Sequence, residues 1–139
     1  MRAKGLVIAV LVLALMRPQT VQAYELSVID KGWLMLIAQA EAEGEGVEGK
    51  AAVMKVVLNR VEDERYPDTI PEVIFDKKQF STASKGGRIF EVKPDEECYA
   101  AVELIEAGWD KTQGAIFFNS CNAVSGKYLF TLGNHKFYK

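Results

Sequence analysis

Three carboxylates alternate with small residues in Glu41-Ala42-Glu43-Gly44-Glu45-Gly46, directly after the apolar run Leu34-Met35-Leu36-Ile37-Ala38-Gln39-Ala40. Read as a helix, Leu34, Ile37, Ala38 and Glu41 share one face, at spacings of three and four. Glu41 therefore extends an apolar stripe. Loss of water raises the pKa of a carboxyl group in such a place. A glutamic acid that stays protonated near neutral pH can serve as a general acid. Gly44 and Gly46 end the helix and leave little side-chain bulk over the carboxylate, so a bulky ligand could approach it. A plainer reading fits the same residues. Acidic clusters at helix ends are ordinarily solvated, and Glu45 and Glu48 also favour the N-terminus of a following helix. Composition and spacing leave both readings open.

The elements that would position these groups follow from periodicity. Asp30 can cap a first helix from about Lys31 to Glu43. Val47 to Glu62 is a second helix, with Val53, Val56, Val57 and Val61 as its buried stripe. Its β-branched content means that tertiary burial must override propensity. Ile70 to Phe75 reads as a short helical turn with Pro71 near its start. Gln79-Phe80-Ser81-Thr82 through Gly86-Gly87 is a polar loop, or a hairpin with Gly at its tip. Pro94-Asp95 opens a third long helix, with Cys98, Ala101, Val102 and Ile105 on one side and Gly108 as its C-cap. Ala115 to Phe118, Lys127 to Phe130 and Lys136 to Tyr138 are short, aromatic and strand-like. Helices first and strands last make the fold class α+β, mainly helical, with a small antiparallel β portion towards the C-terminus.

The 139 residues suffice for one domain. Arg2 and Lys4 precede a uniformly apolar stretch from Gly5 to Met16, and Val21-Gln22-Ala23 supplies the small residues of a cleavage site. This pattern predicts a secretory signal peptide over residues 1–23 and an exported domain over 24–139. N-terminal sequencing of the exported protein would then begin at Tyr24. The apolar run is short for a span of about 20 residues, so no stable membrane insertion is expected after cleavage. An uncleaved N-terminal anchor is the alternative. Cleavage removes three basic residues and no acid, leaving a mildly acidic domain without a nucleic-acid footprint. Cys98 and Cys121 could pair in an oxidising compartment or remain free thiols. With one His and no CxxC or HExxH, no metal site and no cofactor is implied. The oligomeric state is not legible.

The ordered set Glu41-Ala42-Glu43-Gly44-Glu45, Glu48-Gly49 and Val57-Leu58-Asn59-Arg60-Val61 resembles the SleB/CwlJ-type cell wall hydrolase family of spore-cortex-lytic enzymes. The resemblance continues through Tyr66-Pro67, Val73-Ile74-Phe75, Gln79-Phe80, Gly108-Trp109-Asp110, Phe118-Asn119 and Gly133-Asn134-His135-Lys136-Phe137. Each tag alone is weak; the order is specific and spans Leu34 to Tyr138. The resemblance implies a lysozyme-like catalytic domain. Its partner would be peptidoglycan, in the cell wall or spore cortex, cut in the glycan backbone next to N-acetylmuramic acid. It also implies that Glu41 is the catalytic acid. Two departures bear on substrate detail. The family usually has Arg where this chain has Glu43, which adds a like charge beside Glu41. It often has Tyr-Gly where this chain has Gln39-Ala40.

One carboxylate can suffice for such chemistry. Two-carboxylate glycosidases need a second acid, either to hold the sugar cation or to activate water after the bond breaks. A lytic transglycosylase lets the sugar's own N-acetyl group and C6 hydroxyl finish the reaction, giving a 1,6-anhydro product. No second Glu or Asp is obviously poised for this role except Glu45, one turn on, so transglycosylation is favoured over a hydrolytic muramidase. Gln79, Ser81 and Thr82 could bind sugar hydroxyls or acetamido groups, or form an ordinary polar loop. Phe80, Phe118 and Tyr128 could stack on sugar faces or belong to the core. Asn119 and the sole histidine, His135, are expected near the site, His135 equally as a structural residue. A wall-binding relative that grips glycan without cutting it, or a partner of other lytic factors, would share most of these features.

Overall fold

A computed structural model of the protein describes residues 25–77, 79–121 and 126–139. The expected signal peptide and its cleavage site lie outside the described residues. Four α-helices come first: α1 (Val28–Ala42), α2 (Gly46–Val61), α3 (Ile70–Phe75) and α4 (Glu96–Glu106). Two 3-10 turns, Ser81–Ala83 and Arg88–Phe90, lie between α3 and α4. Strands β1 (Phe117–Asn119), β2 (Tyr128–Leu132) and β3 (His135–Tyr138) close the chain. The α+β class, helices before strands, is the observed architecture.

Helix α1 starts earlier than its apolar periodicity announces. Its N-cap is Ser27, not Asp30; the Ser27 hydroxyl accepts from the Asp30 backbone N–H at 3.1 Å and donates to the Asp30 carboxylate at 2.8 Å. Val28 and Ile29 in its first turn are exposed, so no buried stripe marks that turn. Helix α4 begins as its cap predicts, with Asp95 accepting from Cys98 N–H at 3.0 Å. It ends at Gly108 (φ +88°), with Gly108 N–H bonded to Ile105 O and Trp109 N–H to Leu104 O. That crossed pair satisfies the last carbonyls and turns the chain out of the helix.

Helix α2 is the axis of the domain. Every residue from Gly49 to Leu58 is buried, and so is Arg60. Leu34, Ile37 and Ala38 of α1, Val73 and Ile74 of α3, and Ala101 and Ile105 of α4 pack with its Ala51, Met54 and Val57. Lys50 is wholly buried on this helix, and its ammonium donates to Asp95 at 2.7 Å and Glu97 at 2.8 Å. Burial alone would push the Lys50 pKa down; the two carboxylates outweigh it and the net direction is up.

A second cluster joins α2 to the sheet, through Ala52, Val56, Ala115 and Phe137. The strand order is β1-β3-β2, all antiparallel, so β3 is central. Phe118 pairs with Phe137, and Phe137 with Phe130 on the other side. The last turn of α2 also grips the backbone leading into β1. Asn59 Nδ2 donates to Ala115 O at 2.8 Å and Arg60 Nε to Ile116 O at 2.7 Å.

Two readings that the sequence leaves open are resolved. The stretch from Gln79 to Gly87 is not a hairpin; it lacks the alternating apolar residues that pair strands, and coils into the 3-10 turns instead. Cys98 and Cys121 are free. The Cys98 thiol is buried against α1, donating to Gln39 Oε1 at 3.1 Å, and burial pushes its pKa up to about 11. Cys121 is exposed beyond the end of β1.

Candidate functional site

A cleft of about 250 Å³ opens between the end of α1, the first 3-10 turn and the sheet. Glu41, Arg60, Gln79, Phe80, Ser81, Phe118, Asn119, Ser120 and His135 line it. Glu41 is half-buried, one turn beyond the fully buried Ile37 and Ala38, as the helical spacing requires. The Thr82 hydroxyl donates to Glu41 Oε1. Gly44 (φ +82°) and Gly46 (φ +74°) turn the chain from α1 into α2, and a Cβ on either would meet nothing. The surface beside Glu41 is therefore bare of side chains at these positions.

Glu43, read from the sequence as a like charge beside Glu41, is exposed and ion-paired with Arg88 of the second 3-10 turn. Its charge is met on the surface. The Thr82–Glu41 and Arg88–Glu43 contacts together fasten the 79–90 segment to the end of α1.

Of the residues expected at the site, Gln79, Phe80, Ser81, Phe118, Asn119 and His135 stand in the cleft with Glu41. Glu45 and Tyr128 do not line it. Tyr128 is an exposed residue of β2, its hydroxyl 2.9 Å from Thr131 Oγ1. Glu45 is held by the β2–β3 turn, accepting from Asn134 N–H at 3.0 Å and Asn134 Nδ2 at 2.7 Å. Gly133 (φ +57°) makes this approach possible, because a Cβ there would collide with Glu45 Oε2. The clamp joins the α1–α2 corner to the sheet wall of the cleft.

The Asn134 backbone N–H, then its side-chain amide, hold the Glu45 carboxyl below the usual carboxylate range, with nearby His135 adding to the effect. A carboxyl whose pKa falls on folding stabilises the fold above its unfolded pKa, and that contribution fades as pH drops through the folded value. Glu45→Gln should therefore cost at most about 1 kcal/mol at neutral pH, since the clamp is near the surface. The gap to the parent should close on acidification below the carboxylate range. Urea unfolding of both proteins across that range measures it; a gap that widens in acid contradicts the clamp.

Besides Ser120, the lining residue that sequence reasoning passed over is Arg60. It is only 3% exposed. Its guanidinium lies 4.8 Å from the Phe80 ring centroid, 5.3 Å from Tyr66 and 5.5 Å from Phe117. Burial pushes its pKa down, while Tyr66, Asp76 and Glu41 pull it back up. The signal was present: Arg60 follows Val56 and Val57 at spacings of four and three, on the buried stripe. Among the described residues no group of three or more His, Cys, Asp or Glu is placed to hold a metal ion.

The family model described as Cell Wall Hydrolase matches residues 44–138, beginning just past Glu41. A spore cortex-lytic enzyme of Oceanobacillus iheyensis is 37% identical over 116 residues, covering 76% of this chain and 41% of the relative. One from Bacillus subtilis is 32% identical over 100 residues, covering 70% of this chain and 32% of the relative. The chain thus spans less than half the length of these curated relatives. Among solved structures, the catalytic domain of the germination-specific lytic transglycosylase SleB from Bacillus anthracis matches with a TM-score of 0.72 at 29% identity. That match covers 85% of this chain and 100% of the SleB chain. With the family model covering most of its length and the helices, sheet and cleft described above, the chain belongs to the cell wall hydrolase family.

Proposed function

We propose that the protein is an exported enzyme that cleaves the glycan backbone of peptidoglycan next to N-acetylmuramic acid, as a lytic transglycosylase with Glu41 as its single acid and base. One observation carries this reading: among the described residues, Glu41 is the only carboxylate lining the cleft. The protonated carboxyl gives its proton to the glycosidic oxygen and the bond to C1 breaks with oxocarbenium character. The C6 hydroxyl of the same sugar then bonds to C1, and the Glu41 carboxylate takes the hydroxyl proton. The product ends in a 1,6-anhydro ring, no water is consumed, and Glu41 returns to its acid form.

A hydrolytic muramidase would need a second carboxylate to hold the sugar cation or activate water. Of the two nearest in sequence, Glu43 is ion-paired with Arg88 and Glu45 has both oxygens engaged by Asn134. A wall-binding relative that does not cut has no need of a carboxyl group in its cleft. The likeness to the solved SleB domain, named a lytic transglycosylase, points the same way.

Mass spectrometry of fragments released from purified peptidoglycan tests the reading. The expected fragments carry 1,6-anhydro ends, with Glu45→Gln giving the same ones. Reducing ends, together with a Glu45→Gln protein as inactive as Glu41→Gln, would establish hydrolysis instead.

A further inference from the structure

Of the three alternating carboxylates, Glu41 lines the cleft and Glu43 pairs with Arg88, which leaves Glu45 without a part in the reaction. Its placement is nevertheless built from several sides. Glu45 is the N-cap residue of α2, yet its side chain makes no capping bond. An acid at a helix start is ordinarily held by the free N–H groups of its own first turn. This one turns away and reaches Asn134, 89 residues further along the chain. Two glycines make room for it. A Cβ on Gly49 would stand 2.6 Å from the Glu45 Cβ, and one on Gly133 would collide with Oε2.

Both ends of this clamp adjoin residues of the cleft. Glu45 follows Glu41 across the turn at Gly44 (φ +82°). Asn134 immediately precedes His135, the first residue of β3, which lines the cleft with its ring 5.0 Å from Phe118. Strand β3 in turn sets β1, since Phe137 pairs with Phe118 and Lys136 with Asn119. The two Asn134 bonds therefore fix the sheet wall of the cleft at one spacing from Glu41. Near the surface such bonds add little to global stability. Spacing weighs far more in a reaction, where a misplacement of about 1 Å costs about 100-fold in rate.

We propose that Glu45 and Asn134 are positioning residues, whose two hydrogen bonds hold the His135 wall of the cleft in register with Glu41. Neither lines the cleft, so both act through the residues beside them. Their effect on rate rests on the reading of the cleft as the site of glycan cleavage; their effect on the wall does not.

The test exchanges the two ends of the clamp in the full chain. Asn134→Asp alone sets carboxylate against carboxylate and breaks it. With Glu45→Gln added, the new amide donates to the new carboxylate, and the backbone N–H at position 134 keeps a carbonyl oxygen to bond. His135 is the sole histidine, so its imidazole resonances in NMR report the wall directly. Asn134→Asp should shift them and lower the lysis rate at limiting peptidoglycan about 10–100-fold, while the thermal midpoint falls by no more than about 8 °C. The double substitution should return both signal and rate close to the parent's, although it keeps the acid beside His135. A parent-like rate or an unmoved His135 signal in Asn134→Asp, its unfolding at the assay temperature, or a double substitution that leaves either readout unrestored overturns the positioning role. A parent that lyses nothing, with the His135 signal still moved and restored, would keep the clamp and overturn the proposed reaction.

Discussion

Glu41→Gln is expected to lower the rate of peptidoglycan lysis by about 10²–10⁴-fold or more while leaving the fold intact. Glutamine keeps the size of the side chain and can still accept from Thr82 through its carbonyl oxygen. It has no carboxyl proton to give to a glycosidic oxygen, and no carboxylate to take one back. The structure supplies the control. Glu43 lies two residues on, but is exposed and paired with Arg88, so Glu43→Gln should change activity far less. Turbidity loss of a wall suspension, with circular dichroism to verify folding, measures both. Full lysis by Glu41→Gln would remove the proposed mechanism.

Phe137→Ala should produce the largest loss of stability. Phe137 is wholly buried in the central strand. It stacks on Phe130 with ring centroids 4.6 Å apart and an interplanar angle of 3°, and lies 5.8 Å from Phe118. On its helical side it packs against Ala52 and Val56. Those small residues cannot close the space a benzyl group leaves, so the cavity term adds to the lost transfer energy. The expected cost is about 3–5 kcal/mol, against a total of about 5–15 kcal/mol for an ordinary domain. Urea unfolding measures it, with Phe75→Ala as comparator at a 38% exposed position. A Phe137→Ala cost no greater than that of Phe75→Ala would mean that the sheet cluster does not hold the domain together. Because Phe118 rests against Phe137 and lines the cleft, activity should fall along with stability.

Legibility in the sequence tracks physical regularity. Glu41 is legible because an α-helix repeats every 3.6 residues, and a carboxylate in phase with Leu34, Ile37 and Ala38 cannot lie on the opposite side. Helices α2, α3 and α4 emerge near their observed bounds for the same reason, with caps at Asp95 and Gly108. The start of α1 escapes the pattern because its first turn is solvent-exposed and its true cap, Ser27, is no stronger a capping type than Asp30. The 79–90 segment has no period to read, and hydrogen bonds to α1 and local turns set its path. Arg60 and Lys50 are easily overlooked because a charged residue on an apolar stripe invites the assumption of a snorkelling surface side chain. Arg60 is instead satisfied in part by rings and by a carbonyl that arrives from more than fifty residues further along the chain. The free cysteines follow from topology, since Cys98 faces the helical interior and Cys121 lies past a strand end.

Lys50 has a consequence for how this domain can change. Its ammonium is buried, but both counter-charges come from one short stretch at the start of α4, where Asp95 and Glu97 remain 44% and 47% exposed. Loss of either acid strands part of a cation that has no water to turn to, whereas loss of the lysine leaves two acids that solvent can accept. The trio is therefore a ratchet with a preferred order of substitution. An apolar residue at position 50 must arrive first, and only afterwards are positions 95 and 97 free to drift. Any scheme that recombines segments of this domain with a relative's should move the three positions as one block.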